Sequence, residues 1–183
     1  LHPRVRRQRQ MCIRDRIQRA LPEEKQKDEM FLDEAVDQFS KAYQKRYLNK
    51  TIPYEGILKL LGTLEEKGIK IAVNSNKRGD YTNALVNKYF SQFSWIAVYG
   101  EREREGIPKK PDPSAALEIA NHMNLPAEEV LYIGDSKTDM ETGQNAKMDT
   151  IGVAWGFRGA EELRENNATY IVEKPEAILE YVI

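Results

Sequence analysis

Two aspartates, Asp135 and Asp139, follow the apolar run Val130 to Ile133 and stand four residues apart. This spacing places both carboxylates on one face of a helical turn. Carboxylate oxygens are the ligands that Mg²⁺ prefers in proteins. Aspartates in a first helical turn are also typical of capping. The pair alone therefore predicts either a metal site or a helix start.

A hydroxyl and an amide follow a second apolar run, Ile69 to Val73, as Ser75 and Asn76. Where a strand passes into a helix, such groups and the exposed backbone N–H groups bind phosphate readily. A serine at this place is also a common helix N-cap. The segment is thus a candidate phosphate site, with an ordinary cap as the alternative.

Lys110 lies in the segment Lys109-Lys110-Pro111-Asp112-Pro113. The two prolines restrict the backbone, so the segment can hold an ammonium group at a fixed point. A lysine acts as a compact point charge beside a phosphate. A solvated surface lysine is the alternative interpretation.

Five short runs rich in β-branched and aromatic residues alternate with helical patterns after Pro53. Such alternation predicts a Rossmann-like α/β fold, with parallel strands and helices on both faces of the sheet. In these folds ligands bind beyond the carboxyl ends of the strands, where the candidate residues lie. The predicted strands are Ile69 to Val73, Trp95 to Tyr99, Val130 to Ile133, Thr150 to Ala154 and Tyr170 to Val172.

The part before Pro53 has a different pattern. Apolar residues at spacings of three and four predict an amphipathic helix over residues 28 to 48, followed by a linker. We interpret residues 17 to 52 as a partial helical cap and residues 53 to 183 as the α/β core. Residues 1 to 16 contain six arginines and one aspartate; we expect a basic leader that is non-native or disordered.

Composition excludes several classes of protein. The chain has 183 residues, of which 40% are hydrophobic and 31% charged, as in soluble globular domains. No apolar run is long enough to cross a membrane, and the excess of basic residues is confined to the leader, so we expect neither membrane nor nucleic-acid partners. A single cysteine excludes an internal disulfide and suits the cytoplasm.

Three segments together resemble a known family. IAVNSNK, KKPDP and LYIGDSKTD are similar to the second, third and fourth motifs of phosphatases of the haloacid dehalogenase superfamily. GVAWGFRGAEEL is similar to the carboxyl-terminal part of the phosphoglycolate phosphatases in that superfamily, and IQRALPEE and PYEGI resemble their helical cap. The resemblance covers Ile17 to Ile183.

The resemblance implies a role for each candidate residue. Ser75 would bond the transferring phosphoryl group with Asn76 beside it, and Lys110 would neutralise its charge. Asp135 would bind Mg²⁺, and Asp139 would support either the metal or Lys110. The implied function is hydrolysis of a small phosphorylated metabolite, with 2-phosphoglycolate favoured, through an aspartyl-phosphate. A pyrophosphatase, a nucleotidase, a β-phosphoglucomutase and a non-catalytic phosphate- or metal-binding relative stay open.

The chain departs from the family at the nucleophile. Family members carry a D-x-D motif after a central strand, and the chain contains no D-x-D. We therefore expect an inactive fragment whose strands ending at Ser75 and Ile133 lack their shared neighbour. Lys147 is a smaller departure, since relatives usually have glycine there, at a position that favours a left-handed backbone.

Overall fold

The computed structural model describes residue 14 and residues 17–156 and 158–182. Apart from Arg14, the predicted leader lies outside the described residues. The chain divides into two units between Ile52 and Pro53. Nowhere in the described ranges is a helix long and apolar enough to cross a membrane.

The first unit is built on helix α1, Glu29–Arg46, which confirms the predicted amphipathic helix. Asp28 begins it, because its carboxylate accepts a hydrogen bond from the backbone N–H of the third helical residue (3.1 Å). Leu32 and Val36, one turn apart, are buried. The identification of this unit as part of a cap stays a prediction.

The second unit alternates helices and strands, and all of the strand pairs described are parallel. The predicted α/β fold is therefore confirmed. The elements are α2 (Ile57–Glu66), β1 (Ile71–Arg78), α3 (Gly79–Tyr89), β2 (Trp95–Glu101), α4 (Ser114–Met123), β3 (Leu131–Gly134), α5 (Lys137–Asn145), β4 (Asp149–Val153), α6 (Gly159–Glu165) and β5 (Tyr170–Val172). Short 3₁₀ turns lie at Glu103–Glu105, Ala127–Glu129 and Pro175–Tyr181.

The strands form two separate sheets. β1 pairs with β2, and β4 lies between β3 and β5. In the part of the chain that the structure describes, β1 and β3 share no ladder; the resemblance places a further strand between them. A side-chain bond from Asn74 Nδ2 to Tyr132 Oη (3.0 Å) connects the two strands across this gap.

Helices cover both faces of the three-stranded sheet. Thr150 and Ile151 are neighbours in β4, so their side chains point to opposite faces, yet both are 0% exposed. A parallel sheet is normally buried on both faces in this way. One face packs on α2 through Leu60, Leu64, Ile151, Val153, Val172 and Ile178; the other packs on α4 through Ala116, Ala120, Tyr132, Ala146 and Met148.

β1 runs to Arg78, so the predicted strand end at Val73 was wrong. Asn74 pairs with Tyr99 and Arg78 with Glu101, so three residues of β1 stand opposite the single residue Gly100. Such a bulge interrupts the ladder without ending the strand. Gly100 leaves room for it, because a Cβ atom there would lie 2.7 Å from the backbone oxygen of Lys77.

Two helices of this unit have local features at their ends. Asp112 Oδ1 accepts the backbone N–H of Ser114 (2.9 Å), the first residue of α4. Lys147 adopts a left-handed backbone with φ of 59°. Lys147 thus adopts a conformation that usually favours glycine.

Candidate active site

Lys110 reaches across the gap between the two sheets. Its Nζ donates hydrogen bonds to Asp139 Oδ1 (2.6 Å) and to the backbone oxygen of Asn74 (3.1 Å). Asn74 belongs to β1, and Asp139 lies in the first turn of α5, directly after β3. The side chains of Lys110 and Asp139 are 13% and 9% exposed, so this is a largely buried ion pair. Its charges interact more strongly than those of a surface pair.

Asp139 is held from both sides. Its second oxygen, Oδ2, accepts a hydrogen bond from Ser136 Oγ (2.6 Å). Gly134 makes room for it, because a Cβ atom at Gly134 would overlap the Asp139 side chain. Asp139 therefore lies against Lys110, one of the two arrangements that the resemblance implies. Its role at a metal stays a prediction.

Asn76 fixes the backbone of Lys110. The N–H of Lys110 donates to Asn76 Oδ1 (2.9 Å), and Asn76 Nδ2 donates to the Lys110 carbonyl oxygen (3.1 Å). This paired bond ties the bulge of β1 to the loop that carries the ammonium group. The structure thus gives Asn76 a part in placing Lys110, and its predicted contact with phosphate stays a prediction.

Ser75 lies on the other side of β1. Its Oγ accepts the backbone N–H of Lys77 (3.1 Å). Together with Val73 and Lys77 it lines a cavity of about 210 Å³ against α3. The structure therefore brings Lys110, Asn76 and Asp139 together, and it places Ser75 in a different environment.

Asp135 directly follows β3 and is half-buried. Its side chain packs against Gly156, where a Cβ atom would overlap it. Within residues 17–156 and 158–182, no three His, Cys, Asp or Glu residues are grouped to hold a metal, and Lys110 already neutralises Asp139. These donors do not fit a complete magnesium site.

Tyr132 was missed by sequence reasoning. Burial raises the pKa of its phenol above the ordinary value, and the nearby charge of Asp139 adds to the effect. The phenol therefore stays neutral as it accepts the bond from Asn74. An aromatic residue inside an apolar run carries no sign of such a contact, because the run itself predicts only burial.

The loop that carries Lys110 starts in a cluster that we call the Arg102 clamp, formed by Arg102, Glu118 and Tyr99. Arg102 Nη1 and Nη2 donate to the two carboxylate oxygens of Glu118 (3.1 and 2.5 Å). The guanidinium lies 3.7 Å from the centre of the Tyr99 ring, whose hydroxyl donates to Glu118 (2.8 Å). Residues 101 to 105 are all charged, yet Glu101 is buried and the Arg102 side chain is only 15% exposed.

The Arg102 clamp should make the stability of the chain sensitive to acid. The hydrogen bonds from Arg102 lower the pKa of Glu118 from 4.5 to about 2. Its contribution to stability is therefore complete above pH 4.5 and is lost as pH falls towards 2. Because the Glu118 side chain is 33% exposed, solvent screens its interaction with Arg102 and limits this contribution to about 1 kcal/mol.

Glu118→Gln should accordingly be less stable than the parent chain at pH 7. The difference in free energy of unfolding should shrink between pH 4.5 and pH 2. Urea unfolding titrations at several pH values, followed by circular dichroism, measure this difference in free energy. A difference that stays constant over this range would contradict the assignment.

Comparison with known proteins finds the family that the sequence motifs resemble. The family model described as haloacid dehalogenase-like hydrolase matches residues 6–153. A phosphoglycolate phosphatase of Psychrobacter arcticus is 31% identical over 154 residues, which are 83% of this chain and 65% of the relative. A Clostridium perfringens protein named "Putative pyrophosphatase PpaX" is 28% identical over 160 residues, 85% of this chain and 72% of that protein.

A solved structure shows the same fold. The crystal structure named "putative phosphoglycolate phosphatase", from Lactobacillus delbrueckii subsp. bulgaricus, has a TM-score of 0.77 and 35% identity, covering 85% of this chain and 64% of that one. The chain thus spans somewhat less than two thirds of the length of that protein and of the Psychrobacter relative. With the family match over most of its length, this chain belongs to the haloacid dehalogenase-like hydrolases.

Proposed function

We propose that this chain carries the phosphoryl-binding part of a phosphomonoesterase that acts on a small phosphorylated metabolite, with 2-phosphoglycolate as the first candidate. The observation that carries the proposal is the position of Lys110. Its ammonium group is held between Asn74, in the middle of β1, and Asp139, just beyond the carboxyl end of β3. Ligands of α/β folds bind beyond such strand ends.

The surroundings of Lys110 suit an anionic group. A lysine ammonium has three N–H donors, and the contacts to Asp139 and Asn74 use two of them. The third is left to donate to a phosphoryl oxygen, and the positive charge offsets the charge of the phosphate. Asp139 and the paired bond from Asn76 hold the ammonium group in place, so binding of the anion costs little conformational entropy.

Magnesium binding by Asp135 is a separate part of the proposal. Mg²⁺ often uses one or two protein carboxylates and completes its shell with water and substrate phosphate oxygens. Asp135 is the residue that the resemblance assigns to the ion. Because the described donors do not fit a complete site, no step here depends on the metal.

A phosphate-binding experiment tests the proposal. Removing Lys110 alone would leave Asp139 with an unpaired charge, so the test variant is Lys110→Met combined with Asp139→Asn. Calorimetric titration with inorganic phosphate should give saturable binding for the parent chain, weakened at least about tenfold in the variant by the loss of about 1.4 kcal/mol of ionic attraction. Lys137→Met is the matched control, because Lys137 is exposed and does not contact Lys110 or Asp139 in the described structure.

Two results of this titration would reject the proposal. One is a parent chain that binds no phosphate while circular dichroism shows it folded. The other is a double variant that binds phosphate as well as the control does. Saturable binding in a complete protein that hydrolyses none of the offered esters would favour the non-catalytic relative instead.

The chemical step is proposed for the whole enzyme. An aspartyl-phosphate requires a nucleophilic aspartate. The resemblance places it in a D-x-D motif, which this chain does not contain. The chain itself should therefore leave p-nitrophenyl phosphate intact in the presence of magnesium. Release of p-nitrophenol by the purified chain, above a boiled control, would show that the nucleophile has been misassigned.

The choice of substrate rests on the relatives. The match at 31% identity favours 2-phosphoglycolate, and the one at 28% keeps pyrophosphate as an alternative. A nucleotidase and a β-phosphoglucomutase stay open, since Lys110 would contact only the phosphoryl group that all these substrates share. Phosphate release from each substrate by the complete enzyme would rank them. A cytoplasmic location and the absence of nucleic-acid partners stay predictions.

A further inference from the structure

The loop between β2 and α4 is attached at both of its ends. It covers residues 102 to 113 and carries Lys110 near its far end. There Asn76 holds the Lys110 backbone, and Asn145 Nδ2 donates to the carbonyl oxygen of Pro111 (2.9 Å). The near end is held by the Arg102 clamp, which lies outside the motifs that resemble the family.

The clamp joins two rigid elements across the start of the loop. Tyr99 belongs to β2 and Glu118 to α4, and the Arg102 guanidinium lies against both. A planar guanidinium that is stacked on a ring and bonded by two donors to one carboxylate has little freedom to move. The first residue of the loop is therefore as well fixed as the elements on either side.

A second contact links the start of the loop to Lys109, the neighbour of Lys110. Glu103 follows Arg102 directly, and its carboxylate lies 2.7 Å from Lys109 Nζ. Both side chains are mostly buried. The sequence of contacts thus runs from the clamp through Glu103 and Lys109 to Lys110.

We infer that Arg102 is a positioning residue for Lys110: its bonds to Glu118 and its contact with the Tyr99 ring fix the loop so that the Lys110 ammonium stays against Asp139. As a role in the reaction, this inference rests on the proposed function. As a statement about the position of Lys110, it can be tested without phosphate.

The test measures how fast Lys110 reacts with acetic anhydride in the native chain, with peptide mass spectrometry as the readout. Arg102→Gln should raise the rate at Lys110 about tenfold, equivalent to about 1.4 kcal/mol of lost protection. Arg102→Lys keeps the charge without the planar fork and should give an intermediate rate. The exposed Lys137 in the same molecule is the internal reference, and its rate should not change.

The matched control is Arg78→Gln. Arg78 also pairs with an acidic residue, Asp80, and its guanidinium lies 4.5 Å from the centre of the Tyr81 ring, but it is outside the loop. Its loss should leave the Lys110 rate unchanged. Glu118→Gln, which breaks the clamp from the helix side and retains Arg102, is the second test and should raise the rate at Lys110 in the same direction.

Three outcomes would overturn the inference. An unchanged Lys110 rate in folded Arg102→Gln is one, and an equal rise in Arg78→Gln is another. The third is a parallel rise at all lysines, since this would show that Arg102 supports the whole fold and not Lys110 in particular. A parent chain that binds no phosphate, yet shows the selective change at Lys110, would reject the proposed function and leave the positioning role intact.

Discussion

Replacing Lys110 with methionine is expected to lower the free energy of unfolding by about 3–5 kcal/mol, because it leaves a buried charge without a partner. The Asp139 side chain is 9% exposed and its Oδ1 lies 2.6 Å from the Lys110 ammonium. Methionine matches the length of the lysine stem but cannot neutralise the carboxylate. Chemical denaturation at pH 7, followed by circular dichroism, measures the change.

Two further variants separate charge from packing. Lys137→Met breaks an exposed pair in which Lys137 and Glu141 are 58% and 38% exposed at 3.6 Å, and it should cost less than about 1 kcal/mol. Adding Asp139→Asn to Lys110→Met removes the unpaired charge and should restore most of the lost stability. If Lys110→Met were no more destabilising than Lys137→Met, the buried ion pair would not exist in solution.

Gly100→Ala is expected to be nearly as damaging, at about 3 kcal/mol, because the new methyl group would meet backbone atoms. A Cβ atom at Gly100 would lie 2.5 Å from Gly79 Cα, 2.6 Å from the Gly79 nitrogen and 2.7 Å from the Lys77 oxygen. None of these atoms can rotate away. The bulge of β1 would have to move, and it would take Asn76 with it, so phosphate binding should weaken as well.

Gly62→Ala is the matched control for that substitution. Gly62 lies inside α2, and a Cβ atom there has nothing within 4 Å. Alanine should therefore stabilise the chain by about 0.5–1 kcal/mol, the usual preference within a helix. Equal denaturation midpoints for Gly100→Ala and the parent chain would show that β1 and β2 do not approach as closely as described.

The alternation of strands and helices was predictable because each element shows its period locally. The extent of β1 was not. Its ladder resumes at Arg78 because Gly100 admits the backbone of Gly79, a contact between residues far apart in the chain. No local pattern in residues 74 to 77 distinguishes a bulged strand from the start of a loop.

The candidate site was predictable in part for the same reason. The neighbouring prolines marked Lys110 as a candidate, and the spacing from Asp135 marked Asp139. The fold brings the two together from a loop and from the first turn of α5. The resemblance implies that Ser75 and Asn76 act side by side, and the apolar run predicts a strand that ends before them. Since β1 continues, neighbouring side chains face opposite sides, and only Asn76 is directed to Lys110.

The gap between β1 and β3 has a consequence for cooperativity. A backbone ladder resists separation along its whole length, whereas the contacts described here, from Lys110 to Asp139 and from Asn74 to Tyr132, are individual side-chain bonds. At this edge the two sheets are therefore linked by one ion pair and one neutral hydrogen bond. Regions coupled in this way can open at a lower free energy than the sheets themselves. We therefore expect the two sheets to separate at this edge before either sheet unfolds.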